Sequence, residues 1–274
     1  MGLFDLFKKK ETTQKNETLQ KDETPQKDEK GALLAMPLFN NNESYSIDRV
    51  IENLKNFWGL SIVNFSGNDN SAIFKLENEL VAIAYVPAQI PGEELSTSIQ
   101  YAYNWHTAGE DLKNYTGHAI VSVMSSQGSQ VERYTLLSKL LCSVLSTSNS
   151  IGVHQAKQTL LIPRDQYLEN IPDLQQGKSP VQVWIYIGIK TSEQGNYMYT
   201  YGLPEFGKQE MEILQSPLDL PELFNFFTSI ISYVINSDVT LRNGETLGYT
   251  EDQKIKITAS KGFFVEGQTL RLEV

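Results

Sequence analysis

The sequence predicts an α+β protein. It is read as two ferredoxin-like α/β-sandwich halves with mostly antiparallel sheet, matched in order as a tandem pseudo-repeat would be. Two observations carry this. Short β-branched and aromatic runs alternate with longer runs of helical apolar spacing. The order strand, helix, strands, helix also occurs twice, over about 31–115 and 116–236, ahead of a C-terminal β stretch at 237–274. No residue-level identity links the halves, so the duplication rests on order alone.

The elements follow from local signals. ALLAMPLFN (32–40) is apolar and bounded by NNNES, a strand. Ser46 then caps a helix over 46–58, with Ile47, Val50, Ile51 and Leu54 at helical spacing and Gly59 ending the run. Strands are expected over 60–66, 71–77 and 80–87, separated by SGNDN and by the turn Glu77-Asn78-Glu79. Pro91-Gly92-Glu93 opens a helix that reaches Trp105.

The second run starts with a strand at 117–125. Ser129 caps a long helix to 147, with Tyr134, Leu137, Leu141 and Val144 on its core side. An extended piece lies within 151–162, and Pro163 starts a short helical turn. VQVWIYIGIK (181–190) is apolar on both alternations, which predicts a central strand covered on both faces. NYMYTYG and QEMEILQ pair around the Gly202–Gly207 turn, and Asp219 with Pro221 opens a helix to Asn236. Three short strands close the chain.

Composition excludes several classes. The 274 residues are 40% hydrophobic and 20% charged, close to an ordinary globular protein. No apolar run approaches the ~20 residues of a membrane span. The single cysteine, Cys142, excludes an internal disulfide framework and a cysteine-based structural zinc site. A net charge of −10 is the wrong sign for gripping phosphate backbones, so no nucleic-acid partner is expected.

Residues 1–30 differ in texture. They hold seven lysines and seven acids, so the whole acidic excess belongs to 31–274. The repetitive ETTQKNETLQKDETPQKDEK offers too little apolar area to offset ~1–2 kcal/mol of backbone entropy per residue, and a disordered tether is expected. Ahead of it, Leu3, Phe4, Leu6 and Phe7 precede three lysines. That order is not a secretory signal, and Leu6 replaces the Ser or Thr of a myristoylation motif. Membrane contact through residues 1–10 is a secondary reading.

Catalytic motifs are scarce. His106, His118 and His154 stand without i, i+4 partners, so no metal site is expected; with a Glu they are the candidates for an acid–base site. Cys142 falls in the apolar stripe of the 129–147 helix and reads as an inert buried thiol. No phosphate loop, dinucleotide fingerprint or serine elbow is present, and no cofactor is expected. Aromatics are more telling. Tyr101, Tyr103 and Trp105 stand close together, and Tyr197, Tyr199 and Tyr201 share one strand face. Such a face is either a docking platform or a surface covered by the neighbouring helix.

The stretch SDVTLRNGETLGYTEDQKIKITASKGFFVEGQTLRLEV carries a pattern of its own. Gly244, Thr246, Leu247, Gly248, Tyr249, Thr250, Lys254, Ile255, Ile257 and Ser260 resemble the C-terminal signature of the bacterial family catalogued as domain of unknown function 4261. Upstream, Trp105 with Ala108, and His118 to Ser122, also fit that pattern. The resemblance spans most of 31–274 and is densest over 237–274. It implies a bacterial cytoplasmic fold and hands over no catalytic residues.

The leading expectation is therefore a non-enzymatic binding protein, accessory or immunity-type, whose partner is another protein, basic in charge. Tyr197, Tyr199, Tyr201 and Trp105 are its expected contact residues. The alternative is a hydrolase or transferase using a His/Glu site.

Overall fold

The computed structural model describes residues 31–124, 127–248 and 254–274. The charged tail and apolar head of residues 1–30 lie outside them, as do Tyr249 and Thr250 of the C-terminal signature. Seven strands form the first sheet: β1 (Leu33–Phe39), β2 (Ile62–Gly67), β3 (Ser71–Leu76), β4 (Glu79–Val86), β5 (Gly117–Val123), β6 (Ser150–Gln155) and β7 (Leu160–Pro163). Their order is β2-β3-β4-β5-β1-β6-β7, antiparallel throughout. The second sheet holds β8 (Tyr186–Ser192), β9 (Gly195–Tyr201), β10 (Met211–Ser216), β11 (Thr246–Gly248), β12 (Lys254–Lys261) and β13 (Gln268–Glu273). Its order is β11-β12-β13-β10-β9-β8, and β10 pairs with β13 in parallel.

The expected α+β class with mainly antiparallel sheets is what the structure has. The order-matched halves do not each own a sheet, however. β5, β6 and β7 complete the first sheet instead of opening the second, because β1 accepts β5 on one edge and β6 on the other.

Helices α1 (Ile47–Asn56) and α4 (Gln130–Thr147) cover one face of the first sheet; α2 (Glu94–Tyr101) and α3 (Ala108–Asp111) cover part of the other. Short helices α5 (Arg164–Leu168) and α6 (Ile171–Gln175) follow β7, and α7 (Leu220–Asn236) packs on the second sheet. One large core runs through both sheets, and α4 joins them. Trp184 donates its indole N–H to Ser138 Oγ of α4 at 2.8 Å, and Tyr134 of α4 lies 4.8 Å from the Phe206 ring.

Local signals account for most helix ends. Ser129 and Glu132 make the reciprocal capping box of α4, and Asp219 caps α7 by accepting the Glu222 N–H at 2.9 Å. At α1 the cap comes from elsewhere. Ser46 occupies the cap position without a side-chain bond, and Asp69 Oδ1, 22 residues on, accepts the Ile47 N–H at 2.6 Å. A carboxylate there also opposes the helix dipole favourably.

Two expectations need correction. The helix expected to reach Trp105 stops at Tyr101, because Tyr103–Trp105 turn so that the Trp105 indole N–H reaches Asp111 Oδ2 at 2.7 Å. The strand expected over 181–190 begins only at Tyr186 and lies at the edge of its sheet. Its apolar first half is a helical turn, Val181–Val183, sunk in the core with Trp184 and Ile185. Burial of Val181, Val183, Trp184 and Ile185 in that turn, with Gln182 exposed, and not a central sheet position, accounts for the apolar run.

Candidate functional site: a tyrosine-lined seam

Strand alternation places Tyr197, Tyr199 and Tyr201 on the face of β9 opposite Met198 and Thr200, which are buried. Register then adds a fourth ring. Tyr186 stands opposite Tyr201 across the β8–β9 pair, and Gly188 stands opposite Tyr199. The Tyr199 ring lies directly over Gly188, where a Cβ would come within 2.1 Å of it. Glycine is required there by close approach and not by its φ.

The connection between β12 and β13 supplies a fifth ring. Phe264 stacks on Tyr199 with centroids 4.7 Å apart and planes 15° from parallel. A buried carboxylate fixes it. Glu212 of β10, 0% exposed, accepts the N–H of Phe264 at 2.8 Å, that of Phe263 at 3.0 Å and the Thr269 hydroxyl at 3.1 Å. The first sheet contributes through α2 and the turn after it, which bring Tyr101 and Tyr103 to 6.0 and 6.2 Å from the Tyr186 ring.

These rings border two adjoining cavities. The smaller, ≈ 260 Å³, is lined by Tyr101, Thr159, Tyr186, Tyr199, Tyr201, Phe264, Val265 and Glu266. The larger, ≈ 380 Å³, shares Tyr101, Thr159 and Tyr186 and continues past Asn104, Gln166, Asn170 and Gln182, with Glu169 and Asp173 as its acids. Neither lining contains a lysine or arginine. Burial pushes the Tyr103 hydroxyl up to about 12 although part of its ring is exposed. Tyr186 and Tyr199 are also raised, chiefly by burial. The phenols of Tyr103, Tyr186 and Tyr199 therefore stay neutral, and the site offers ring surfaces, hydroxyls, amides and carboxylates.

The sequence-derived residues separate here. Tyr199 is half-buried and Tyr201 is 43% exposed, whereas Tyr197 is buried beneath Phe264 at 5.9 Å and lines neither cavity. The cover on this face is Phe264, not a helix. Trp105 stays apart from the group; its ring packs on Gly152 in the smaller core under α2 and α3.

His118 and His154 come together on the same face of the first sheet, one on each side of β1, opposite Leu38 and Met36. Both are buried, and neither lines any of the cavities described. His118 Nδ1 donates to the Ala88 carbonyl at 2.8 Å. His154 Nε2 meets Ser98 Oγ at 2.9 Å, and burial, with His118 nearby, lowers its pKa to about 4. His106 is exposed elsewhere. Tyr186, Phe264 and Glu212 carry no local sequence signal, since register and a loop bring them in.

Cys142 is buried in α4, and burial raises its thiol to about 12. A thiol reagent at neutral pH is expected to label it slowly in native protein and rapidly in denaturant. Fast native labelling, followed by mass spectrometry, would contradict that burial.

Among the described residues no helix is long and apolar enough to cross a membrane. No curated protein and no solved structure matches the chain. Residues 199–273, which run from Tyr199 of the seam to the last strand, match the family model described as a domain of unknown function, DUF4261.

Proposed function

We propose that this is a non-enzymatic binding protein of the bacterial cytoplasm, accessory or immunity-type, that docks a basic protein partner on the tyrosine seam. The observation that carries the reading is the convergence of Tyr186, Tyr199 and Tyr201 of the second sheet with Tyr101 of α2 and Tyr103 of the turn after it on two adjoining cavities. Tyrosine combines large apolar area with a polar tip and low ordering cost, the profile of an interface anchor. The chain's net charge of −10 suits a basic partner by steering its approach.

The test uses the exposed rings, because Tyr199 also holds the fold. Tyr101 and Tyr201 are 45% and 43% exposed. Once a partner is captured from the native host and purified, Tyr101→Ala or Tyr201→Ala is expected to cost ~2 kcal/mol of affinity, mainly through faster dissociation. Melting temperature should stay within the small range of surface substitutions. Wild-type affinity in both variants would remove the seam from the interface. Tyr199→Ala, in contrast, should lower stability by ~2 kcal/mol or more, through lost stacking and a void over Gly188.

A further inference from the structure

Resting on the seam as the docking site, we propose that the smaller cavity takes a cation: the arginine or lysine side chain of the basic protein partner, seated against the rings of Tyr101 and Tyr186 beside the Glu266 carboxylate.

Four observations converge on this. Aromatic rings present a negative face, and a cage of several rings attracts ammonium or guanidinium groups within about 6 Å of their centroids. The aromatic cluster already holds one such group, with Lys190 Nζ 5.9 Å from the Phe264 centroid. The charges in the two linings have one sign: Glu266 in the smaller cavity, Glu169 and Asp173 in the larger. Asp173 is partly neutralised by Lys178 at 3.2 Å, whereas among the described residues Glu266 and Glu169 have no lysine or arginine within ion-pair distance. With no lysine or arginine in either lining, an anionic ligand would face carboxylates without a countercharge inside the cavities.

Size and continuity select the source of the cation. At ≈ 260 Å³ the cavity lies below the roughly 300–1,000 Å³ that encloses a drug-sized molecule, and it suits one long side chain. It continues at Tyr101 and Tyr186 into the larger cavity, where the Gln182 amide and the carbonyl oxygens of Asn104 and Asn170 can pair with peptide groups. A peptide segment can use both spaces at once, whereas a free small cation uses only the first.

The test titrates the full chain, followed by NMR, with the blocked tripeptide acetyl-Gly-Arg-Gly-amide and the same peptide carrying neutral citrulline. A parallel arm compares choline with its uncharged isostere 3,3-dimethylbutanol. The arginine peptide is expected to bind at least about tenfold more tightly than the citrulline peptide, as a desolvated cation–π contact of this kind would give. Glu266→Gln should shrink that ratio several-fold, and Tyr101→Ala should abolish it, with melting temperatures unchanged. Equal binding of the two peptides would overturn the inference in favour of an apolar site. Choline preferred over its isostere, with no preference between peptides, would overturn it in favour of a free organic cation. Absence of binding by every probe would overturn it as well. Each of these outcomes leaves the docking reading standing, which fails only if Tyr101→Ala and Tyr201→Ala bind the captured partner like wild type.

Discussion

Arg133→Met is expected to lower the free energy of unfolding by about 3–5 kcal/mol, the usual cost of removing one member of a buried ion pair. Arg133 sits on α4 with no exposed surface. Its guanidinium donates to the Gly31 carbonyl at 2.8 Å, the Val123 carbonyl at 3.2 Å and Gln130 Oε1 at 2.9 Å. Its Nε lies 3.8 Å from Glu79 Oε2, itself 5% exposed. Methionine matches the aliphatic stem but removes the guanidinium charge that faces Glu79 and the donor that serves the Gly31, Val123 and Gln130 oxygens. Urea denaturation measures the loss. The double substitution Arg133→Met with Glu79→Met should recover part of it, since removing both charges removes the desolvation problem. A single-variant cost below ~1 kcal/mol would show that the pair contributes nothing to the fold.

That buried arginine was invisible in the sequence, and the reason extends to much of the molecule. Helices α4 and α7 could be read directly because their signals are local: Ser129 with Glu132, Asp219 with Pro221, and apolar residues at helical spacing. The cap of α1 could not, since Asp69 reaches it from the β2–β3 turn. Sheet membership is set by pairing between distant strands, so 181–190 could not be distinguished as an edge strand with a sunken turn. The alternation of Tyr197, Tyr199 and Tyr201 was legible as a shared face. Which of them is covered depended on Phe264, and Phe264 depends on Glu212, 52 residues away. The nearness of Tyr101 to Tyr186 follows from how the two sheets meet, a matter of tertiary packing alone. Site chemistry thus showed in residue types, while site geometry stayed hidden in register.

Stability is expected to fall by about 3 kcal/mol more in wild type than in a His154→Gln variant as pH drops from about 6.5 to about 4. The imidazole of His154 is buried between β6 and α2, where Ser98 Oγ is 2.9 Å from Nε2 and Nδ1 has no hydrogen-bond partner among the described residues. Placing the proton on Nε2, donated to Ser98, leaves only a lone pair bare at Nδ1, which costs less than a bare N–H. Charging the ring would add a second donor with nowhere to go and a cation in an apolar layer beside His118, so the folded pKa is lowered to about 4. The unfolded chain has an ordinary histidine near 6.5. Between those values the unfolded state binds the extra proton, so unfolding is favoured as pH falls. The contribution is complete above about 6.5 and is lost on passing down to about 4. Carboxylates titrate in the same range, so the informative quantity is the difference in slope between wild type and variant in urea melts at several pH values. Parallel slopes would mean that His154 protonates as easily in the folded protein as in the unfolded chain, and that the layer under α2 is open to water.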